Sequence, residues 1–155
     1  MLAGFERRAF HVSPDGETMA AMAALDPYDE GVFVGVIVGE GHFGGDGRQP
    51  HVTLRMHTRH EALFRWLMDR FPRTKLYGPY HHGGRSYYQW MARGRALVED
   101  VLPVLEARVT PELDAYAAGR LREMTDRYAD VIAREQARAG LATDAVWDED
   151  GAGGG

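Results

Sequence analysis

The chain has 155 residues, 45% of them apolar and 26% charged, enough for one domain with a real core and hardly enough for two. It carries no cysteine, which excludes disulfides and thiolate metal sites and makes a cytoplasmic location the simplest expectation. A formal net charge of −5 speaks against a nucleic-acid partner, but Gly41 to Arg95 hold ten Lys/Arg against three Asp/Glu, and the remainder eight against twenty.

Residues 1–25 pattern weakly and stand as an N-terminal extension, with a turn at SPDG and a short helix expected at TMAAMAAL. In MLAGFERRAF, Glu6, Arg7 and Arg8 break the apolar start before a signal-peptide core can form. At Leu25-Asp26-Pro27-Tyr28-Asp29 the signals sharpen. Asp26 is a good N-cap, Pro27 suits the first helical position, and Asp29 and Glu30 put negative charge in the first turn.

The helix so begun runs into VFVGVIVGEGHFGG, where Gly39, Gly41 and Gly44 spell G-x-G-x-x-G. A dinucleotide fingerprint needs a strand before the glycines and a helix opening at the third. Here Gly44 leads into GDGRQP, which opens no helix, so no nucleotide cofactor is expected. The run Val32 to Val38 is also far too short to cross a bilayer. As a helix it places Gly31, Gly35 and Gly39 on one stripe. Each glycine costs ~1 kcal/mol relative to alanine, which points to another backbone approaching closely. Glu40 adds a second cost, because a carboxylate is disfavoured at a helix C-terminus.

From His42 to Arg93 two hairpins flank a helix. HFGGDGRQPHVTLRMH reads as strand, glycine-rich turn and strand, with His51, Thr53, Arg55 and His57 outward and Val52, Leu54 and Met56 inward. HEALFRWLMDRF carries Leu63, Phe64, Leu67, Met68 and Phe71 at helical spacing. The second hairpin turns at His81-His82-Gly83-Gly84. It sends Lys75, Tyr77, Arg85, Tyr87, Gln89 and Arg93 outward, and Leu76, Tyr88, Trp90 and Ala92 to the core. GRALVEDVLPVLEARV is a helix interrupted at Pro103. Thr110-Pro111-Glu112 is expected to start a long helix with Leu113, Tyr116, Leu121, Met124, Tyr128 and Ile132 as its stripe, ended by Gly140. Residues 136–155 form an acidic, glycine-rich tail that reads as disordered.

The order of elements, α-β-β-α-β-β-α with a four-stranded antiparallel sheet, resembles the LAGLIDADG homing endonucleases, an α+β class. Their nine-residue motif falls on FVGVIVGEG, residues 33–41, with Val38 where aspartate is common. VTLRMHTRHEALFRWLMDRF, TKLYGPY…RSYYQWMARG and LPVLEARVTPEL resemble the elements that follow. The likeness covers roughly residues 26 to 130, and the domain is bounded at 26–135. It implies a homodimer packed through Gly35 and Gly39, cutting double-stranded DNA with Mg2+. Glu40 and the Gly41 carbonyl would be the metal ligands, with Glu40 the catalytic carboxylate. Arg108 falls where the family carries a supporting base, and arginine there would stabilise phosphate rather than shuttle a proton. The outward sheet residues, together with His42, Arg48 and Arg59, would contact DNA.

The second reading keeps the fold without the chemistry, as a DNA-binding regulator or intron-splicing helper. A third is a small-ligand or protein-interaction module. Zinc held by His51, His57 and His60, or by the pair His81-His82, is disfavoured because their spacing fits no usual ligand set. Trp66, Trp90 and Tyr88 are expected in the core rather than stacked on bases.

Overall fold

The computed structural model describes residues 25–148, with side chains through residue 140. The expected helix at TMAAMAAL and the last seven residues lie outside that range, apart from Leu25. The described chain is an α+β fold. Helix α1 spans Pro27–Glu40, strands β1 Gly41–Gly45 and β2 Pro50–His57, helix α2 Glu61–Arg70, and strands β3 Lys75–His82 and β4 Arg85–Arg93. A wide turn of π-helix, Ala96–Val101, leads into α3, Leu102–Arg108, followed by α4, Ala115–Arg127, and α5, Ala129–Asp148. The four strands form one antiparallel sheet in the order β1-β2-β4-β3.

The N-terminus of α1 is built as its residues predict. Asp26 accepts from the Asp29 N–H at 2.9 Å, and Pro27 occupies the first turn. Because Val32–Val38 is helical and Gly41–Gly45 a strand, the G-x-G-x-x-G stretch runs from helix to strand, the reverse of a nucleotide fingerprint.

Alternation sorts the sheet into two faces. Phe43, Val52, Leu54, Trp90 and Ala92 turn inward, onto Phe33, Val34 and Ile37 of α1, Phe64 and Leu67 of α2, and Leu97, Val101, Leu102 and Leu105. Phe33, Phe71 and Trp90 form the aromatic centre, with Phe33 and Phe71 ring centres 4.6 Å apart. The Trp90 indole N–H donates to Thr74 Oγ1 at 2.8 Å, and Thr74 donates to the Phe71 carbonyl. A buried indole is thereby satisfied, as burial demands. Trp90 is a core residue; Trp66 and Tyr88 pack partly buried against the core.

The C-terminal third departs from expectation in four places. Pro103 does not interrupt its helix. The Leu102 N–H bonds to the Leu97 carbonyl, one residue further back than in an α-helix, so Pro103 falls in the first turn of α3, where its missing donor is harmless. Thr110-Pro111-Glu112 does not start a helix but forms a turn closed by Asp114 N–H to the Thr110 carbonyl. Asp114 is the N-cap instead, accepting from Ala117 N–H at 2.7 Å, which leaves Leu113 and Tyr116 exposed and only the stripe from Leu121 to Ile132 buried. Finally, α5 runs through Gly140 to Asp148, so residues 136–148 are helical rather than disordered.

Candidate functional site

Glu40 is the last residue of α1 and is exposed. Among the described residues it has no hydrogen-bonding or ion-pairing side chain, and α1 has no basic residue in its last turn. A bare carboxylate therefore sits at the negative end of the helix dipole. Gly41 follows directly as the first residue of β1. Its φ of −74° and ψ of 157° are extended, so it is no left-handed C-cap. Glycine is required there for space: a Cβ would lie 2.6 Å from the Ile37 carbonyl oxygen.

The side of α1 opposite Phe33, Val34 and Ile37 faces solvent. Tyr28, Gly31, Gly35 and Gly39 are exposed, with Val32 and Val36 half-buried beside them, and the stripe carries no charge. A Cβ on any of the three glycines would meet nothing within 4 Å. Nothing inside the described chain therefore explains these glycines.

Arg108 is not beside Glu40. Its Nε donates to Glu30 Oε1, and Glu30 lies in the first turn of α1, about 15 Å of helix rise from Glu40. The assignment of Arg108 to the helix end is therefore corrected: α3 delivers it to the opposite end of α1. A different cation, Arg120 of α4, shares a recess with the residues that flank Glu40. With Tyr116, Val38, Gly41 and His42 it lines a small recess of about 50 Å3 beside the helix end, and it pairs with Glu123 at 2.5 Å. Sequence patterning missed it because its only signal, a basic residue on the α4 surface, is common to many others.

The outward sheet face holds most of the expected contact residues. Across the strands it reads in rows: His51 with Arg93; His42 with Thr53, Met91 and Lys75; Arg55 with Gln89 and Tyr77; His57 with Tyr87 and Tyr80. Arg85 lies at the hairpin tip, while Arg48 and Arg59 sit off the strands in turns. The strands carry no carboxylate on this face. At one end a cleft of about 480 Å3 opens between Asp46, Arg48, Arg73, Lys75, Met91 and Arg93. Arg73 is tied to Glu99 at 2.7 Å and Asp100 at 2.6 Å. Among the described residues, Arg48, Lys75 and Arg93 have no acidic partner, leaving three cations for an anion. Asp46 is committed to its turn: hydrogen bonds from the Gln49 and Arg48 N–H groups hold its carboxyl below the usual range.

His51, near that cleft, is held below the ordinary imidazole value by burial and then by the neighbouring His42 and Arg93, against the opposing pull of Asp46. Gly44 leaves room for both imidazoles; a Cβ there would lie 2.9 Å from His42 Nε2 and 3.5 Å from His51 Nε2. Among the described residues no three His, Asp or Glu side chains converge as a metal site. Glu40 and the Gly41 carbonyl are oxygen donors that suit Mg2+, which keeps several waters and needs few protein ligands. Each chain supplies a single carboxylate there.

No helix among the described residues is long and apolar enough to cross a membrane. No family model matches the chain, and no curated protein sequence matches it.

Proposed function

We propose that the chain is a homodimeric, Mg2+-dependent, site-specific double-strand DNA endonuclease of the LAGLIDADG homing-endonuclease type. The observation that carries this reading is the joint character of α1: a charge-free glycine stripe, unexplained among the described residues, that leads to a carboxylate with no partner among them. Two copies packed stripe to stripe bring two Glu40 side chains to a shared centre. Small residues let the two backbones approach closely enough for that.

Each chain's residues then have separate tasks. Arg48, Lys75 and Arg93 grip phosphates at one end of the sheet, fixing register on the duplex without reading sequence. Arg55, Gln89 and their neighbours face base edges in the major groove. The paired Glu40 carboxylates, with the Gly41 carbonyls, would hold Mg2+, which makes water a better nucleophile and neutralises charge developing on the phosphate. Arg120, which lines the recess at Gly41, takes the supporting role in place of Arg108. As an arginine it offers charge and donors to a phosphate oxygen but no proton shuttle.

A second reading, DNA binding without cleavage, is favoured by one observation: the basic residue expected to support Glu40 is tied to Glu30 at the far end of α1. One experiment separates the two. Wild type and Glu40→Gln are incubated with a duplex pool, with Mg2+ or with EDTA. Metal-dependent cutting lost in the variant supports the endonuclease. Equal retention of duplex by both proteins, with no cutting, gives the binding-only protein. Absence of retention at low salt rejects both, since phosphate contacts are strongest there.

A further inference from the structure

Near the centre of the outward sheet face, Arg55 on β2 stands opposite Gln89 on β4, and Gln89 opposite Tyr77 on β3. Arg55 Nη2 donates to Gln89 Oε1 at 2.7 Å. The same guanidinium lies over the Tyr87 ring, 5.1 Å from its centre. Two contacts on two residues of β4 therefore hold Arg55 in place.

The polarity of the first contact matters. Arginine has N–H donors and no acceptor, so the end of the Gln89 amide that meets it has to be the carbonyl oxygen. Chemistry settles the orientation that is otherwise ambiguous for an amide. What the joined pair still offers is mostly donors: the Gln89 amide N–H groups and the unspent guanidinium N–H groups, against one remaining lone pair on Gln89 Oε1. Glutamine reads adenine with both ends, donating to N7 while accepting from the N6 amino group. Here one of the two lone pairs of the accepting end is spent on Arg55, whose guanidinium crowds that end. Guanine presents N7 and O6, two acceptors, and satisfies both side chains as they stand. The surroundings reinforce this bias. Lys75 and Arg93 only donate, and the strands carry no outward carboxylate to accept from the cytosine amino group.

We propose that Arg55 and Gln89 act as one reading unit that selects guanine at the base pair facing the centre of each sheet; this rests on the duplex-DNA reading above. Freed from Arg55, Gln89 regains its full acceptor capacity and becomes an adenine reader.

The test is selection of a random duplex pool by the full chain at low salt in EDTA, followed by sequencing of the retained duplexes, for wild type and Arg55→Leu. Arg55 is exposed, and an unchanged circular dichroism spectrum confirms that the variant folds. In wild type one position of each half-site should favour guanine over adenine by roughly tenfold or more. In Arg55→Leu the same position should shift to adenine. Wild-type enrichment of adenine there, the absence of any base preference, or a variant that keeps guanine would each overturn the unit while leaving DNA binding intact. Failure to retain any duplex would reject the DNA reading itself, and this inference with it.

Discussion

The two ends of α1 are built in opposite ways. At its start every charge is answered: Asp26 caps the Asp29 N–H, the largely buried Asp29 accepts from Arg70 Nε at 2.6 Å, and Glu30 accepts from Arg108. At its end Glu40 stands against the dipole with no partner among the described residues. Both ends belong to one helix, so helix propensity does not set the contrast. The first end fixes the helix in the fold. The second spends stability to keep a carboxylate available, a common pattern at working sites.

The sharpest way to break the contrast is at the anchored end. Asp29→Ala strips Arg70 of its acceptor while Arg70 stays against the Trp66 ring, 5.5 Å from its centre. The expected cost is about 3 kcal/mol, read as a lower urea midpoint with an unchanged slope. Next comes the outer stripe. Gly35→Ala meets no atom of the described residues within 4 Å and should stabilise the helix of an isolated chain by about 1 kcal/mol, yet weaken self-association. Sedimentation velocity with thermal unfolding reads both, and a wild type that stays monomeric at all concentrations sinks the stripe-to-stripe dimer. At the free end Glu40→Gln should have the opposite sign to Asp29→Ala, a gain of about 0.3–0.5 kcal/mol; a loss would show that Glu40 is structurally employed.

The smallest effect is a pH dependence at the sheet's end. His51 has a depressed value in the folded chain relative to 6.5, so the unfolded chain takes up this proton first. Its contribution to stability is full above about pH 6.5 and is lost as pH falls from there through the folded value. Comparing wild type with His51→Asn across pH 7.5 to 5 isolates it; identical slopes would show that the shift has no thermodynamic weight.

Where the governing interaction is local, the chain announces it. Asp26 and Pro27 mark the start of α1 because cap and first-turn preferences involve only neighbours, and the two sheet faces follow from a side-chain period of two. Gly83 and Gly84, with φ of 57° and 76°, make the predicted hairpin turn for the same reason. Tertiary placement was less legible. Arg108 lies far along the chain from both Glu30 and Glu40, and no periodicity says which it will meet. Pro103 looks like a break until the π-turn before it absorbs the lost donor. Thr110-Pro111 carries the same cap signal as Asp26-Pro27, but Asp114, four residues on, makes the actual cap hydrogen bond. The exposed glycine stripe was visible as a pattern, and only three dimensions show that no neighbour among the described residues accounts for it.

One junction sets how these parts act on each other mechanically. No residue separates α1 from β1. Gly41 closes the helix with its N–H to the Ile37 carbonyl while its dihedrals already belong to the strand. A linker would let helix and sheet swivel independently; a joint of zero length makes them a single bent lever. Any body that seats against the outer side of α1 therefore also sets the pitch of the sheet's outward face.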